Sequence, residues 1–191
     1  QEIRLEYISP YVDEWHSDVY CTAYAVIKKK KKYRVVIESH ADEISWYVNY
    51  ISERGMIHVI RNGGSDQTIA ASRRVNIHTS KGIVRGVFGW PAIHVRKGKD
   101  AHLAPTLENI FIDVGAKDKK EVEALGIHVG CVITYDDGYE EINKNCFIGR
   151  ALDNRLGGFC VAEVARKLHE EKIKLPYSLY IVNSVQEEVG L

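Results

Sequence analysis

Apolar positions recur on different periods in different parts of the chain. The opening QEIRLEYISPYVDEW sets Ile3, Tyr7 and Ile8 at helical spacing, which predicts a short amphipathic helix that begins in mid-pattern without a capping residue. Two β-rich runs follow, VYCTAYAVI (19–27) and YRVVIES (33–39), separated by Lys28 to Lys32. The lysine block reads as a solvated turn between strands or as an anionic-ligand patch, and the flanking strands favour the turn. From about 45 to 145 the chain becomes a series of short, glycine-punctuated strand patterns: ISWYVNYI, GMIHVI, RRVNIHT, GIVRGVFGW, NIFIDV and CVITY. Within it TSKGIV predicts a hairpin, and Pro91 and Pro105 bracket a polar loop, AIHVRKGKDAHLA. Asp118, Glu121 and Gly126 frame one short helix there. Beyond 145 the helical period returns. RLGGFCVAEVARKLHEE places Leu156, Phe159, Cys160, Val164 and Leu168 on one face, and YSLYIVNSV is a continuous apolar run of the kind a buried central strand shows. The pattern therefore predicts an α/β body (1–44 and 146–191) interrupted by a β-rich module (45–145).

Composition narrows this without changing it. An apolar content of 45% over 191 residues suffices for a real core. Lys+Arg and Asp+Glu balance at 26 each, so there is no basic surplus for nucleic acid or a membrane surface. No apolar run reaches transmembrane length. Cys21, Cys131, Cys146 and Cys160 form no CxxC, as expected of reduced thiols in a cytoplasmic protein, and they read as core residues.

Three stretches carry chemistry. In SHADEI, extended backbone puts His40 and Asp42 on one side, where the carboxylate can hold an imidazole whose other nitrogen binds metal. In GRALDNRLGG, Asp153 is either a helix N-cap or a carboxylate delivered at a strand end. In VQEEVGL, Glu187 and Glu188 suit a helix start or turn; after a central strand, though, consecutive side chains diverge, so one can bind metal while the other serves as a base.

In order and spacing these stretches, with FIDVGAKDKKEVEALGIHVG and GVFGWPAIH, resemble the dinuclear metalloaminopeptidase family of the tetrahedral, glutamyl and deblocking aminopeptidases. The resemblance spans nearly the whole chain. It implies an α/β metallopeptidase body, a mixed central sheet flanked by helices, with 45–145 as an inserted dimerisation domain. It implies two divalent ions, Zn²⁺ or Co²⁺, activating a water for attack on peptide substrates. His40 would be a terminal ligand of one ion, Asp42 the partner that holds its ring, Asp153 the bridging carboxylate, Glu188 a ligand of the other ion and Glu187 the general base. Homo-oligomers follow from the same resemblance, dimers and assemblies up to dodecamers. Where relatives often read Asp-Asp-Arg, this chain has Asp153-Asn154-Arg155. His94 falls in a family motif without an assigned role, and His16, His58, His78, His102, His128 and His169 read as surface groups.

The family takes an aspartate and a histidine ligand from sequence that follows the second glutamate, whereas here Leu191 is the last residue. The expectation is a truncated chain that is inactive alone. Two rival readings are a non-catalytic oligomerisation or peptide-binding scaffold, which has no need of this ligand set, and a glycosidase. Glycosidase carboxylates must face each other across the scissile bond, and adjacent strand residues do not.

Overall fold

A computed structural model describes residues 1–28, 30–98 and 102–190. Lys29 of the lysine block, and Lys99, Asp100 and Ala101 of the polar loop, lie outside the described residues. The chain divides into two compact units, Gln1–Glu43 with Ala151–Leu191, and Ile44–Arg150, against the 45–145 read for the β-rich module. Among the described residues no helix is long and apolar enough to cross a membrane.

The first unit contains α1 (Glu2–Ile8), β1 (Glu14–Ser17), β2 (Ala23–Ile27), β3 (Arg34–His40), α3 (Leu152–Glu170) and β12 (Ser178–Ser184). Its sheet runs β1-β2-β12-β3. β12 is antiparallel to β2 and parallel to β3, with Ser184 opposite His40, so the sheet is mixed and the apolar run 177–185 lies at its centre. β1 and the late start of β2, at Ala23, were not apparent from the sequence: residues 19–22 form a turn held by the Asp18 carboxylate, which accepts from the Tyr20 and Thr22 N–H groups.

Helix α3 corrects the face expected of it. Its buried residues are Gly158, Ala162 and Ala165, while Leu156, Phe159 and Val164 are exposed, as is Cys160. Ala162 and Ala165 join Leu5, Ile8, Ala23, Ala25, Leu179 and Ile181 in one core; Leu168 packs on its margin. Alanine against alanine brings the helix axis close to the sheet, a contact that larger side chains would hold apart. The cysteine expectation fails for the same three-dimensional reason: Cys131 is buried, but Cys21 and Cys146 are exposed along with Cys160, and all four are free.

In the second unit β4 (Ser45–Ile51), β5 (Ile57–Asn62), β6 (Arg74–Thr79), β7 (Gly82–Gly89), β8 (Phe111–Asp113) and β9 (Val132–Tyr135) close into a barrel in the order β4-β5-β8-β7-β6-β9. Alternation puts Trp46, Val48, Ile57, Val59, Val75, Ile77, Ile112 and Ile133 inside. Thr79 pairs with Gly82 across the expected hairpin. Helix α2 (Lys119–Ala124) starts where the Asp118 side chain accepts from the Glu121 N–H. A separate hairpin, β10 (Glu140–Asn143) with β11 (Cys146–Ile148), completes the unit.

Candidate metal centre

The first unit gathers its ionisable residues at the ends of two parallel neighbours. His40 is the last residue of β3, and it is 7% exposed. One step after β12 the backbone turns: Gln186 takes a left-handed conformation (φ 68°), and Glu187–Val189 form a single 3-10 turn. Glu187 and Glu188 therefore sit on a turn and not on a pleated strand, and carboxylate oxygens of the two lie within 4.8 Å of each other, against the divergence expected of them. α3 contributes the third carboxylate. Asp153 does not cap the helix: the capping position is Ala151, and Asp153 (ψ 107°) and Asn154 depart from helical values. The Asp153–Asn154 peptide is cis. A Cβ at position 157 would lie 1.9 Å from Asn154 Oδ1, so glycine there leaves room for the Asn154 side chain as it stands.

His40 Nε2 lies 3.1 Å from Asp153 Oδ1 and 3.6 Å from a Glu187 carboxylate oxygen. On the other side of the ring, Nδ1 faces the Asp42 carbonyl at 3.3 Å and Asp42 Oδ1 at 3.5 Å. Asp42 also accepts the Glu188 backbone N–H at 3.0 Å. One carboxylate thus ties the histidine to the glutamate turn. His40, Glu187 and Glu188 each offer a donor atom, all within 4.8 Å of one another. The sequence-derived residues His40, Asp42, Asp153, Glu187 and Glu188 consequently converge in one place. His94 is exposed on a short turn of the other unit.

Charge at this cluster is lopsided. Burial pulls the His40 pKa down, but Glu187, Asp153 and Asp42 outweigh it and hold the ring above the ordinary histidine value. Glu188 is also raised, first by burial and then by Asp153, Glu187 and Asp42, against the pull of His40. Both of the histidine's nitrogens face oxygen acceptors, so only the imidazolium can donate to both. A divalent cation held at Nε2 would take the place of that proton, would leave Nδ1–H on Asp42, and would relieve the repulsion among the carboxylates. Buried Asp42 Oδ1 has no hydrogen-bond partner, as fits a group that acts electrostatically on its neighbour. The donor set of one imidazole and several carboxylates suits a divalent ion.

Beneath the site lies a polar layer that sequence reading missed. Ser39 Oγ donates to Asn183 Oδ1 at 2.7 Å, and Asn183 Nδ2 donates to Gln1 Oε1 at 2.8 Å. Ser184 Oγ donates to the Ser39 carbonyl at 3.3 Å. These bonds fix the two strand ends that carry His40 and the glutamates. The only sequence signal was polar residues closing two apolar strands.

Known proteins match most of this chain. The family model for M42 glutamyl aminopeptidase matches residues 22–191. Lysyl aminopeptidase of Pyrococcus furiosus is 31% identical over 159 residues, 83% of this chain and 45% of its own length. Glutamyl aminopeptidase of Lactococcus lactis is 28% identical, again over 83% of this chain and 45% of its own. Among solved structures, the TET aminopeptidase of a marine sediment Thaumarchaeota archaeon superposes with a TM-score of 0.91 at 29% identity, over 99% of this chain and 53% of that one. The chain spans about half the length of the curated relatives it matches. By the extent of that family match, the chain belongs to the M42 glutamyl aminopeptidase family.

Proposed function

We propose that this chain supplies metal ligands and a proton-transfer group to an aminopeptidase that removes N-terminal residues from peptides. The observation that carries the reading is the convergence of His40, Glu187 and Glu188 within 4.8 Å, with Asp153 on His40, from three segments distant in sequence. His40 and Asp153 serve one divalent ion, and Asp153 and Glu188 serve the other. The ions, when bound, supply Lewis acidity to the scissile carbonyl and lower the pKa of water. Asp42 keeps the Nδ1 proton of His40 in place and leaves Nε2 free to ligate. Glu187, its side chain 42% exposed, is open enough to meet substrate. It takes a proton from the attacking water and returns it to the leaving amine.

Metal analysis tests the ligand assignment. Asp153→Ala should lower occupancy of both ions, because one bridging carboxylate serves two cations, and His40→Ala should deplete one preferentially. If Asp153→Ala loses only one ion, Asp153 is a terminal ligand. A full-length protein that loads metal and turns over no peptide substrate supports the scaffold alternative instead.

Self-association belongs, in this reading, to Ile44–Arg150. The support is the hairpin β10–β11, which exposes Tyr139, Ile142, Phe147 and Ile148. Ile142→Glu with Phe147→Glu should reduce the assembly mass in light scattering, and an unchanged mass places the interface elsewhere.

A further inference from the structure

A cleft of about 630 Å³ in the first unit is lined by His40, Ala41, Ile3, Tyr7, Phe159 and Ala162, and also by Arg4. Gln1, Arg155 and Asn183 line it too, and what sets Arg4 apart is that its Nη nitrogens have no acceptor. Its Nε makes one long contact, 3.5 Å, to the Gly158 carbonyl. Neither Nη nitrogen has a hydrogen-bond partner, and both are closed off from water. Among the described residues it has no carboxylate partner. Burial lowers its pKa to about 10, so at neutral pH it is still a cation. Nearby Arg155 is different, since its Nη2 donates to Glu43 at 3.2 Å.

A guanidinium closed off from water and left without acceptors is costly, and an anion offering two oxygens removes that cost. Most of the cleft surface is aliphatic or aromatic, so the anion that fits carries an organic body. His40 gives the direction. If the free amine of a peptide is held at the metal centre, as the proposed function requires, the group left for the cationic part of the wall is the carboxylate at the peptide's other end. Ile3 is 84% exposed and Phe159 55% exposed; both can yield as the arginine swings its Nη edge into the opening.

We infer that Arg4 is a specificity residue that binds the C-terminal carboxylate of a short peptide lying in this cleft. This rests on the aminopeptidase reading. It makes the protein select di- and tripeptides with free C-termini over the same peptides amidated.

The test compares Leu-Gly-Gly with Leu-Gly-Gly-amide on the wild-type protein, on Arg4→Met and on Arg4→Lys. The free acid should have a KM lower by about 10–100-fold, the weight of a charge-assisted pair, with kcat little changed. Arg4→Met should abolish that preference and Arg4→Lys should retain part of it. Equal KM values for acid and amide in the wild type overturn the inference. So does Arg4→Met weakening both peptides alike, which is the mark of a structural role. A preference that follows glutamate at the first position and ignores the C-terminus also overturns it. Calorimetric titration of the two peptides into metal-loaded Glu187→Gln protein, which keeps the metal ligands and lacks the proposed base, keeps this separate from the question of activity. Tighter binding of the acid, lost in Arg4→Met, supports the carboxylate site even if turnover is absent. Equal binding of acid and amide refutes the site whether or not the enzyme is active.

Discussion

The barrel unit packs Trp46, Phe88, Ile57, Ile77, Ile112 and Ile133 into its centre, whereas the α/β unit closes its helix–sheet contact with Ala23, Ala25, Ala162 and Ala165. The barrel leaves no strand edge unpaired around its circumference. The α/β sheet has β1 and β3 as edges, and it buries Ser39, His40, Asn183 and Ser184 at the paired ends of β3 and β12. Large β-branched side chains fill a closed volume that does no chemistry. Small ones let a helix approach a sheet closely enough to bring Asp153 onto His40, and the polar groups around them are hydrogen-bonded, so their burial is tolerated. In the proposed reading stability and reactivity belong to different units, and substitutions should separate them.

The largest effect is expected in the α/β unit with no change in stability. Glu187→Gln should cut turnover by about 10²–10⁴-fold, the usual weight of a general base, with metal content near normal and an unaltered melting temperature. Wild-type turnover in this variant would remove Glu187 from the role of base.

The barrel should respond in the opposite sense. Phe88, 1% exposed and edge-to-face with Trp46 at 5.3 Å between centroids, has no contact with chemistry. Phe88→Ala should cost about 3–5 kcal/mol of stability, read from the denaturant midpoint, while native protein binds metal as before. A loss of metal affinity in the folded variant would break the division of labour between the units.

Smaller again is the effect at the helix–sheet contact, where sequence and structure disagree. The strands of the barrel were legible because large apolar residues alternate along them, and a period of two survives any tertiary context that closes a barrel. The helix α3 was legible as a helix but not in its orientation. Periodicity weights Leu156, Phe159 and Val164 heavily and gives alanine and glycine almost nothing, yet it is Gly158, Ala162 and Ala165 that face the sheet. The same blindness hid Ser39 and Asn183, whose burial depends on partners a hundred and forty-four residues apart. His40, Asp153 and the glutamates were singled out by pattern and spacing and given their roles by resemblance; the Asp42 bond to the Glu188 N–H was not foreseen, because it is made by a turn. Ala162→Leu should therefore cost about 1–3 kcal/mol by overpacking, while Leu156→Ala stays within about 0.5 kcal/mol. Chemical denaturation of the pair decides it, and the reverse order would restore the face read from periodicity.

The smallest effect concerns how α1 is held to α3 within the α/β unit, and it depends on pH. Glu163 accepts from Arg166 Nε at 2.9 Å and from Arg166 Nη2 at 2.6 Å, and Tyr7 of α1 donates to the same carboxylate. Arg166 first, and Tyr7 after it, hold the Glu163 pKa down to about 2, from an ordinary 4.5. At neutral pH the group is ionised in both folded and unfolded chains, and the folded state has the benefit of its partners. As pH falls below about 4.5 the unfolded chain binds the proton first, so this contribution drains away and is gone once pH passes the folded value near 2. Because the network is at the surface, its size is modest and salt-sensitive. Glu163→Gln should melt below the wild type at pH 7, with the gap narrowing steadily between pH 4.5 and about 2. The barrel has no part in this network, so Phe88→Ala should show no matching pH dependence. A gap for Glu163→Gln that stays constant across that range would mean the carboxylate's charge contributes nothing to the attachment of α1, and that Tyr7 and packing of Leu5 and Ile8 hold the helix alone.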